Sequence, residues 1–123
     1  MTQQNKTALA YDDINLVPKY SEIESRRQVN LKGGIGSGII SYALDVPVIA
    51  APMDTVCEAS MATAIRKLGG LGIIHRYMSI DEQVAQYKSV HASNAVAGVA
   101  IGATGDYLDR AFKLAAAGCR LLL

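Results

Sequence analysis

Met53, Asp54 and Thr55 follow one apolar run, and His75, Arg76, Tyr77 and Met78 follow the next. A methionine thioether is soft and adaptable, a carboxylate accepts hydrogen bonds, and a guanidinium grips phosphate through two parallel N–H donors. Folding alone requires none of these types at those places. Taken singly, Met53 suits gap-filling core, Asp54 a solvated turn and Arg76 a solvated charge after a strand. His75 reads as a strand-end residue with a satisfied hydrogen bond rather than as an acid or base. Arg26 and Arg27 form a second basic pair beside Ser25, where solvated pairing with Glu22 and Glu24 competes with phosphate binding. Cys57 and Cys119 lack metal-ligand spacing and read as small buried hydrophobes.

The first two clusters can act together only if the chain brings them to one place. Val46–Ala51 is a short apolar run flanked by turn formers, which reads as a strand buried on both faces. Thr55-Val56-Cys57-Glu58 has the form of a capping box for a helix carrying Cys57, Met61, Ile65 and Leu68 on its inner face. Gly69-Gly70 supplies a left-handed stop, and a second apolar strand, Leu71–Ile74, follows. Such a strand-loop-helix-strand unit favours a parallel pair with a right-handed crossover. Loops leaving the carboxyl ends of parallel strands gather on one side. Pro52–Thr55 and His75–Met78 are therefore expected to share a rim.

The block APMDTVCEASMA followed by GGLGIIHRYMS resembles, in order and spacing, the start of the catalytic barrel in the IMP dehydrogenase/GMP reductase family. The arm Tyr11-Asp12-Asp13-Ile14-Asn15-Leu16-Val17-Pro18 has a similar counterpart there. The pattern from Pro18-Lys19-Tyr20-Ser21 through Ser25-Arg26 to Leu31 looks like the arm of GMP reductases. The resemblance implies an α/β fold, the amino-terminal half of a TIM (β/α)8 barrel with about four parallel strands and three helices. An extended arm and hairpin (1–45) precede the truncated barrel part (46–123), with no CBS-domain insert. It implies that Ala51, Met53 and Asp54 meet a purine nucleotide, with Met53 packing on the purine. It also implies that Ser25 and Arg26, and in the reductase reading Arg76, meet a dinucleotide, NAD or NADP, with Ser25 and Arg26 reaching it from a neighbouring subunit of a homotetramer. A monovalent cation such as K+ accompanies some members. The nucleophilic cysteine of the family is expected beyond residue 123, so no catalytic residue is assigned within this chain.

The activity implied is IMP to XMP with NAD through a cysteine thioimidate. The alternative within the family is GMP to IMP plus ammonia with NADPH. Pro52 before Met53, Glu58 and the GGLGIIH strand look like the dehydrogenase. Ser25-Arg26, Tyr77 and the direct run from the Ser79 helix into the Ala95 strand look like the reductase, although dehydrogenases without the insert exist. The balance tips towards the dehydrogenase. A reading of a different class is a non-catalytic half-barrel that associates through its open edge with itself or another chain.

Elsewhere the residues speak for themselves. Residues 1–7 are polar, and residues 8–18 read as an extended arm or short strand lying across a barrel end. Gly33-Gly34-Ile35-Gly36-Ser37-Gly38 lacks the spacing and context of a dinucleotide-binding loop. It reads as the tip of a hairpin between Val29–Leu31 and Ile39–Tyr42. Ser79-Ile80-Asp81-Glu82 is a capping box opening a helix with Ile80, Val84 and Tyr87 inward. Ala92-Ser93-Asn94 breaks that helix. Ala95–Ile101 is a third buried strand, and Asp106 caps a third helix with Leu108, Ala111, Phe112 and Ala115 inward, ended by Gly118. Arg120–Leu123 begins a fourth strand. Strand centres recur about every 25 residues, the period of an eight-unit barrel of roughly 200 to 250 residues. An open doubly wound sheet fits that period equally well; the resemblance alone separates the two.

Half of the 123 residues are hydrophobic, 19% are charged and the formal net charge is +1. There is no basic surplus for nucleic acid and no acidic tail. The apolar runs are too short to span a bilayer, and the start lacks the plan of a signal peptide. A cytoplasmic chain is expected.

Overall fold

The computed structural model describes residues 8–37 and 40–123. Three short strands, β3 (Ile49–Ala50), β4 (Leu71–Ile74) and β5 (Ala97–Val99), form a parallel sheet in chain order. Ile49 and Ala50 pair with Leu71 and Gly72; Gly72, Ile73 and Ile74 pair with Ala97, Gly98 and Val99. A fourth parallel segment is begun at Leu121–Leu123. There Val99 N–H donates to Leu121 O at 2.9 Å, and Leu123 N–H donates to Val99 O at 3.0 Å. The crossovers are α1 (Ala59–Lys67), α2 (Ile80–Ala92) and α3 (Tyr107–Ala116). Helix α1 touches α2 and α2 touches α3, so the helices form one layer. The described residues form an open α/β sheet and not a closed barrel.

All four residues of β4 are buried, as a central parallel strand requires. Alternation sends Ile74 and Gly72 towards the helices and Leu71 and Ile73 to the other face. On the helical side Ile74 joins Cys57, Ala62, Tyr87, Val90, Val99 and Leu114 in one cluster. On the other face Leu71 and Ile73 pack with Leu44, Ala100, Ile35, Val96 and Leu121. Leu44 and Ile35 come from the antiparallel hairpin of β1 (Gly33–Ser37) and β2 (Ile40–Leu44), which covers that face. Gly72 lets α1 lie close: a Cβ there would come within 2.5 Å of the Ala62 Cα.

Several local signals act as read. Ser79 caps α2 reciprocally with Glu82, and Asn94, at φ 54°, turns the chain after it. Gly118, at φ 94°, follows α3, supplying the left-handed residue that closes a helix.

Other expectations are corrected. The strand at Val46–Ala51 shrinks to Ile49–Ala50, and Val46, Val48 and Ile49 are 36%, 51% and 49% exposed. β3 is an edge strand, so one side has no neighbour to bury it. Thr55 does not cap α1. The helix starts at Ala59, whose N–H donates instead to Gln86 Oε1 on α2 at 2.8 Å. The buried position of α1 is Ala62, while Met61 and Leu68 are exposed, because the close approach at Gly72 selects the smallest side chain. On α3 the buried pair is Arg110 and Leu114, and Leu108 and Phe112 face outward. Asp106 gives α3 no side-chain cap; its carboxylate turns to Arg110. On α2 Ile80 and Val84 are only half-buried, and Gln83 takes the deepest place beside Tyr87 and Val90.

The glycine-rich segment is strand rather than tip. Gly33–Ser37 pairs with Ile40–Leu44, and the connecting residues 38 and 39 lie outside the described ones. Val29–Leu31 is not a strand. The arm from residue 8 is extended around a 3-10 turn at Tyr11–Asp13, makes no strand and lies exposed, with Leu16 at 97%. Residues 1–7 lie outside the described residues.

Candidate functional site

Parallel pairing brings the carboxyl ends of β3, β4 and β5 to one end of the sheet. The segments 51–58, 75–79 and 100–106 therefore form a common rim, and direct contacts join them. His75 N–H donates to Cys57 O at 3.3 Å. The His75 ring is buried, and its Nδ1 accepts from Tyr77 N–H at 3.1 Å. That bond leaves Nε2 as the protonated nitrogen of the neutral ring, facing Glu58 Oε1 at 3.3 Å. The other Glu58 oxygen accepts from Gln86 Nε2 at 3.2 Å. Both nitrogens of His75 thus have partners, in keeping with a strand-end role.

The first rim segment is a tight turn. Met53 N–H donates to Ala51 O at 2.8 Å, and Val56 and Cys57 N–H both donate to Met53 O at 3.0 Å. Asp54 Oδ1 accepts from Thr55 N–H at 2.9 Å. The turn leaves Ala51, Asp54 and the side chain of Met53, 52% exposed, facing solvent. Met53 is therefore not gap-filling core.

Arg76 leans from the second segment onto the third. A Cβ at Gly102 would meet the Arg76 guanidinium carbon at 2.9 Å, and Gly102 itself has φ +79°. Glycine satisfies both the backbone conformation and the bare surface on which the guanidinium lies. The same guanidinium stands 5.7 Å from the centre of the Tyr77 ring. Arg76 takes part in no salt bridge among the described residues.

Beneath the rim runs a buried polar chain. Gln83, fully buried, donates through Nε2 to His75 O and to Ala100 O, each at 2.8 Å. Its Oε1 accepts from Arg110 Nη1 at 2.9 Å. Arg110 Nη2 donates to Met78 O at 3.1 Å and to Asp106 Oδ2 at 2.7 Å. The hydrogen bond to Arg110 holds the Asp106 carboxyl below the usual carboxylate range. Burial pushes the Cys57 and Cys119 thiols up. Neither is poised as a thiolate, as their reading as buried hydrophobes implies.

Ser25 and Arg26 are exposed and remote in bonding from this rim. Ser25 Oγ accepts from Arg27 N–H at 3.3 Å, and Ser25 caps a 3-10 turn over Arg26–Gln28. Among the described residues neither arginine forms an ion pair with Glu22 or Glu24. Ala51, Met53, Asp54 and Arg76 are thus brought to one end of the sheet, and Ser25 and Arg26 are not seen to join them. Gln83 and Arg110 escaped the sequence reading; the Asp106–Arg110 spacing of four residues was the available hint. No group of three or more metal-ligating side chains occurs among the described residues. No helix there is long and apolar enough to cross a membrane.

A family model described as the IMP dehydrogenase / GMP reductase domain matches residues 8–123. The chain belongs to this family. It is 44% identical over 91 residues to inosine-5'-monophosphate dehydrogenase of Nitrosopumilus maritimus, covering 74% of this chain and 18% of that protein. It is 42% identical over 82 residues to GMP reductase of Leishmania donovani, covering 67% of this chain and 16% of that protein. The crystal structure of inosine 5'-monophosphate dehydrogenase from Legionella pneumophila superposes with a TM-score of 0.70 at 34% identity, covering 94% of this chain and 34% of that one. The chain spans less than a fifth of the length of these curated relatives. Both branches of the IMP dehydrogenase/GMP reductase family are represented among them.

Proposed function

We propose that the protein carrying this chain is a purine nucleotide oxidoreductase. In this reading residues 1–45 are an arm and hairpin, and residues 46–123 are the first part of a (β/α)8 catalytic barrel with no CBS insert. The observation that carries it is the common rim: three parallel strands deliver residues 51–58, 75–79 and 100–106 to the same end. Barrel enzymes build their sites at that end.

Met53 offers an exposed, polarizable surface to the purine, with Ala51 and Asp54 shaping the turn that presents it. Arg76, seated on Gly102 and in no ion pair among the described residues, fits the phosphate of a dinucleotide. Ser25 and Arg26 reach such a ligand from a neighbouring subunit of a homotetramer. A bound nicotinamide, NAD or NADP, supplies or accepts the hydride. The nucleophilic cysteine belongs to a later part of the protein, and no residue here is assigned to a K+ ion.

The dehydrogenase is the first reading. Glu58 and His75, two residues of the motifs that resemble that branch, meet at 3.3 Å. The reductase is the second, supported by the Ser25-Arg26 arm and by the match to the Leishmania GMP reductase. Purified full-length protein should form NADH from IMP and NAD; oxidation of NADPH with GMP selects the reductase instead. Turnover of neither pair would defeat both readings and leave the half-barrel that only associates with other chains. Arg76→Ala should raise KM for the dinucleotide more than KM for the nucleotide.

A further inference from the structure

Gln83 and Arg110 sit below the rim and touch neither of its exposed faces. Their hydrogen bonds nevertheless end on the backbone of its second and third segments. One amide NH2 ties together His75 O and Ala100 O, the first carbonyls beyond β4 and β5, at 2.8 Å each. One guanidinium ties the amide oxygen of Gln83 at 2.9 Å and Met78 O at 3.1 Å, so it holds the far end of the segment that carries Arg76. Asp106, at the start of α3, anchors that guanidinium at 2.7 Å. Among the described residues no buried side-chain polar atom is left without a partner. A fully satisfied buried network of this kind specifies one arrangement, because each lost bond strands a desolvated group.

A core position on α2 could be filled more simply by leucine. Gln83 is fully buried and Arg110 is 5% exposed, so both are desolvated for a gain that packing alone does not explain. What the pair accomplishes is spacing. It bridges the second and third rim segments, the two across which the Arg76 guanidinium lies on Gly102.

We propose that Gln83 and Arg110 are positioning residues for ligand binding at this rim, acting through the 75–79 and 100–106 segments rather than by touching ligand. This rests on the rim being the nucleotide and dinucleotide site. The asymmetry of the bonds suits a Gln and not a Glu. A carboxylate at position 83 could accept from Arg110, but its other oxygen would face two carbonyl oxygens with no proton to offer.

The test uses the full-length protein with Gln83→Leu and Gln83→Glu, reading both amide hydrogen exchange and steady-state kinetics. Gln83→Leu should speed exchange in residues 75–79 and 100–106 while leaving the amides of β1 and β2 unchanged. It should also raise KM for the dinucleotide about 10-fold or more, with kcat within about twofold, the scale expected when a supporting shell lets a site loosen. A merely structural loss acts in the other direction: fewer folded molecules lower kcat and leave KM alone. Gln83→Glu, nearly the same shape, should regain dinucleotide affinity as pH falls, because protonation restores a donor towards one carbonyl; wild type should lack that slope.

Unchanged exchange at both segments overturns the proposal, and so does faster exchange with unchanged KM. If Gln83→Leu fails to fold, the pH slope of Gln83→Glu decides: its absence overturns the proposal. If wild type turns over neither nucleotide pair, the functional reading fails separately; the coupling is then read from binding of NAD measured calorimetrically in wild type and Gln83→Glu, and equal affinities overturn it.

Discussion

Replacing Gly72 with alanine should cost more than the same change at Gly98, the other glycine of the parallel sheet, whose nearest obstacles are side-chain ends of Ile73 and Leu121. The new Cβ would lie 2.5 Å from the Ala62 Cα, 2.7 Å from its Cβ and 3.0 Å from the Cys57 Sγ. Favourable carbon contacts begin near 3.5 Å, so α1 and β4 must part by roughly 1 Å. Two of the three obstacles belong to a helix held at both ends and cannot rotate away. Overpacking of this kind costs about 1–3 kcal/mol, and the upper end applies here. The glycine-to-alanine gain from a less flexible unfolded chain, about 0.4–1 kcal/mol, offsets only part of it. Gly33→Ala is the control: nothing lies within 4 Å of its Cβ position, so only the unfolded-chain gain remains. Urea unfolding of the protein carrying each change should show a net loss of about 2 kcal/mol for Gly72→Ala and a small gain for Gly33→Ala. Ala62→Gly should rescue Gly72→Ala partly and not fully, since the 2.5 Å clash is with the Cα. Equal stabilities for the two alanine variants would refute the close-packing argument. Full rescue would show that the helix is free to shift.

Two further outcomes follow from the same contacts. Gln86→Leu removes the acceptor for Ala59 N–H and a donor to Glu58; the lost helix cap should cost about 1 kcal/mol in the same unfolding measurement. Asp106, held below the usual carboxylate range by Arg110, stabilises the fold above its ordinary pKa, and that contribution is lost as pH falls through its lower folded value. Thermal stability should therefore decline below about pH 4, and Asp106→Asn should start lower and decline less. Some decline should persist in that variant, because Lys113 and Ser79 hold Asp81 and Glu82 low as well.

The rim was readable because it depends on chain direction alone. Two apolar runs joined by a helix of suitable length must pair in parallel, and parallel pairing puts the residues after each run at one end. The Ser79 capping box was readable for a similar reason: donor and acceptor lie three residues apart. Helix faces were less secure. Helix α3 carries apolar residues on two sides, Leu108 and Phe112 on one, Ala111 and Leu114 on the other. Local pattern gives no ground for choosing between them. The choice fell to the side bearing Arg110, whose buried charge is tolerable because Gln83 Oε1, Met78 O and Asp106 Oδ2 accept its hydrogen bonds.

Beyond residue 46, local order along the chain was enough for element type and strand direction, and it was enough for family membership, since each rests on residues within a few turns of one another. Contacts between segments far apart assigned the rest. Gln86 replaced Thr55 as the cap of α1 from 27 residues away. Ala62 displaced Met61 because a glycine on the next strand admits only a small neighbour. Edge exposure of Val48 followed from having a partner strand on one side. In each case the deciding atom lies on another element, and hydrogen-bond satisfaction and contact distance, which act through space, choose among options that sequence spacing leaves equal.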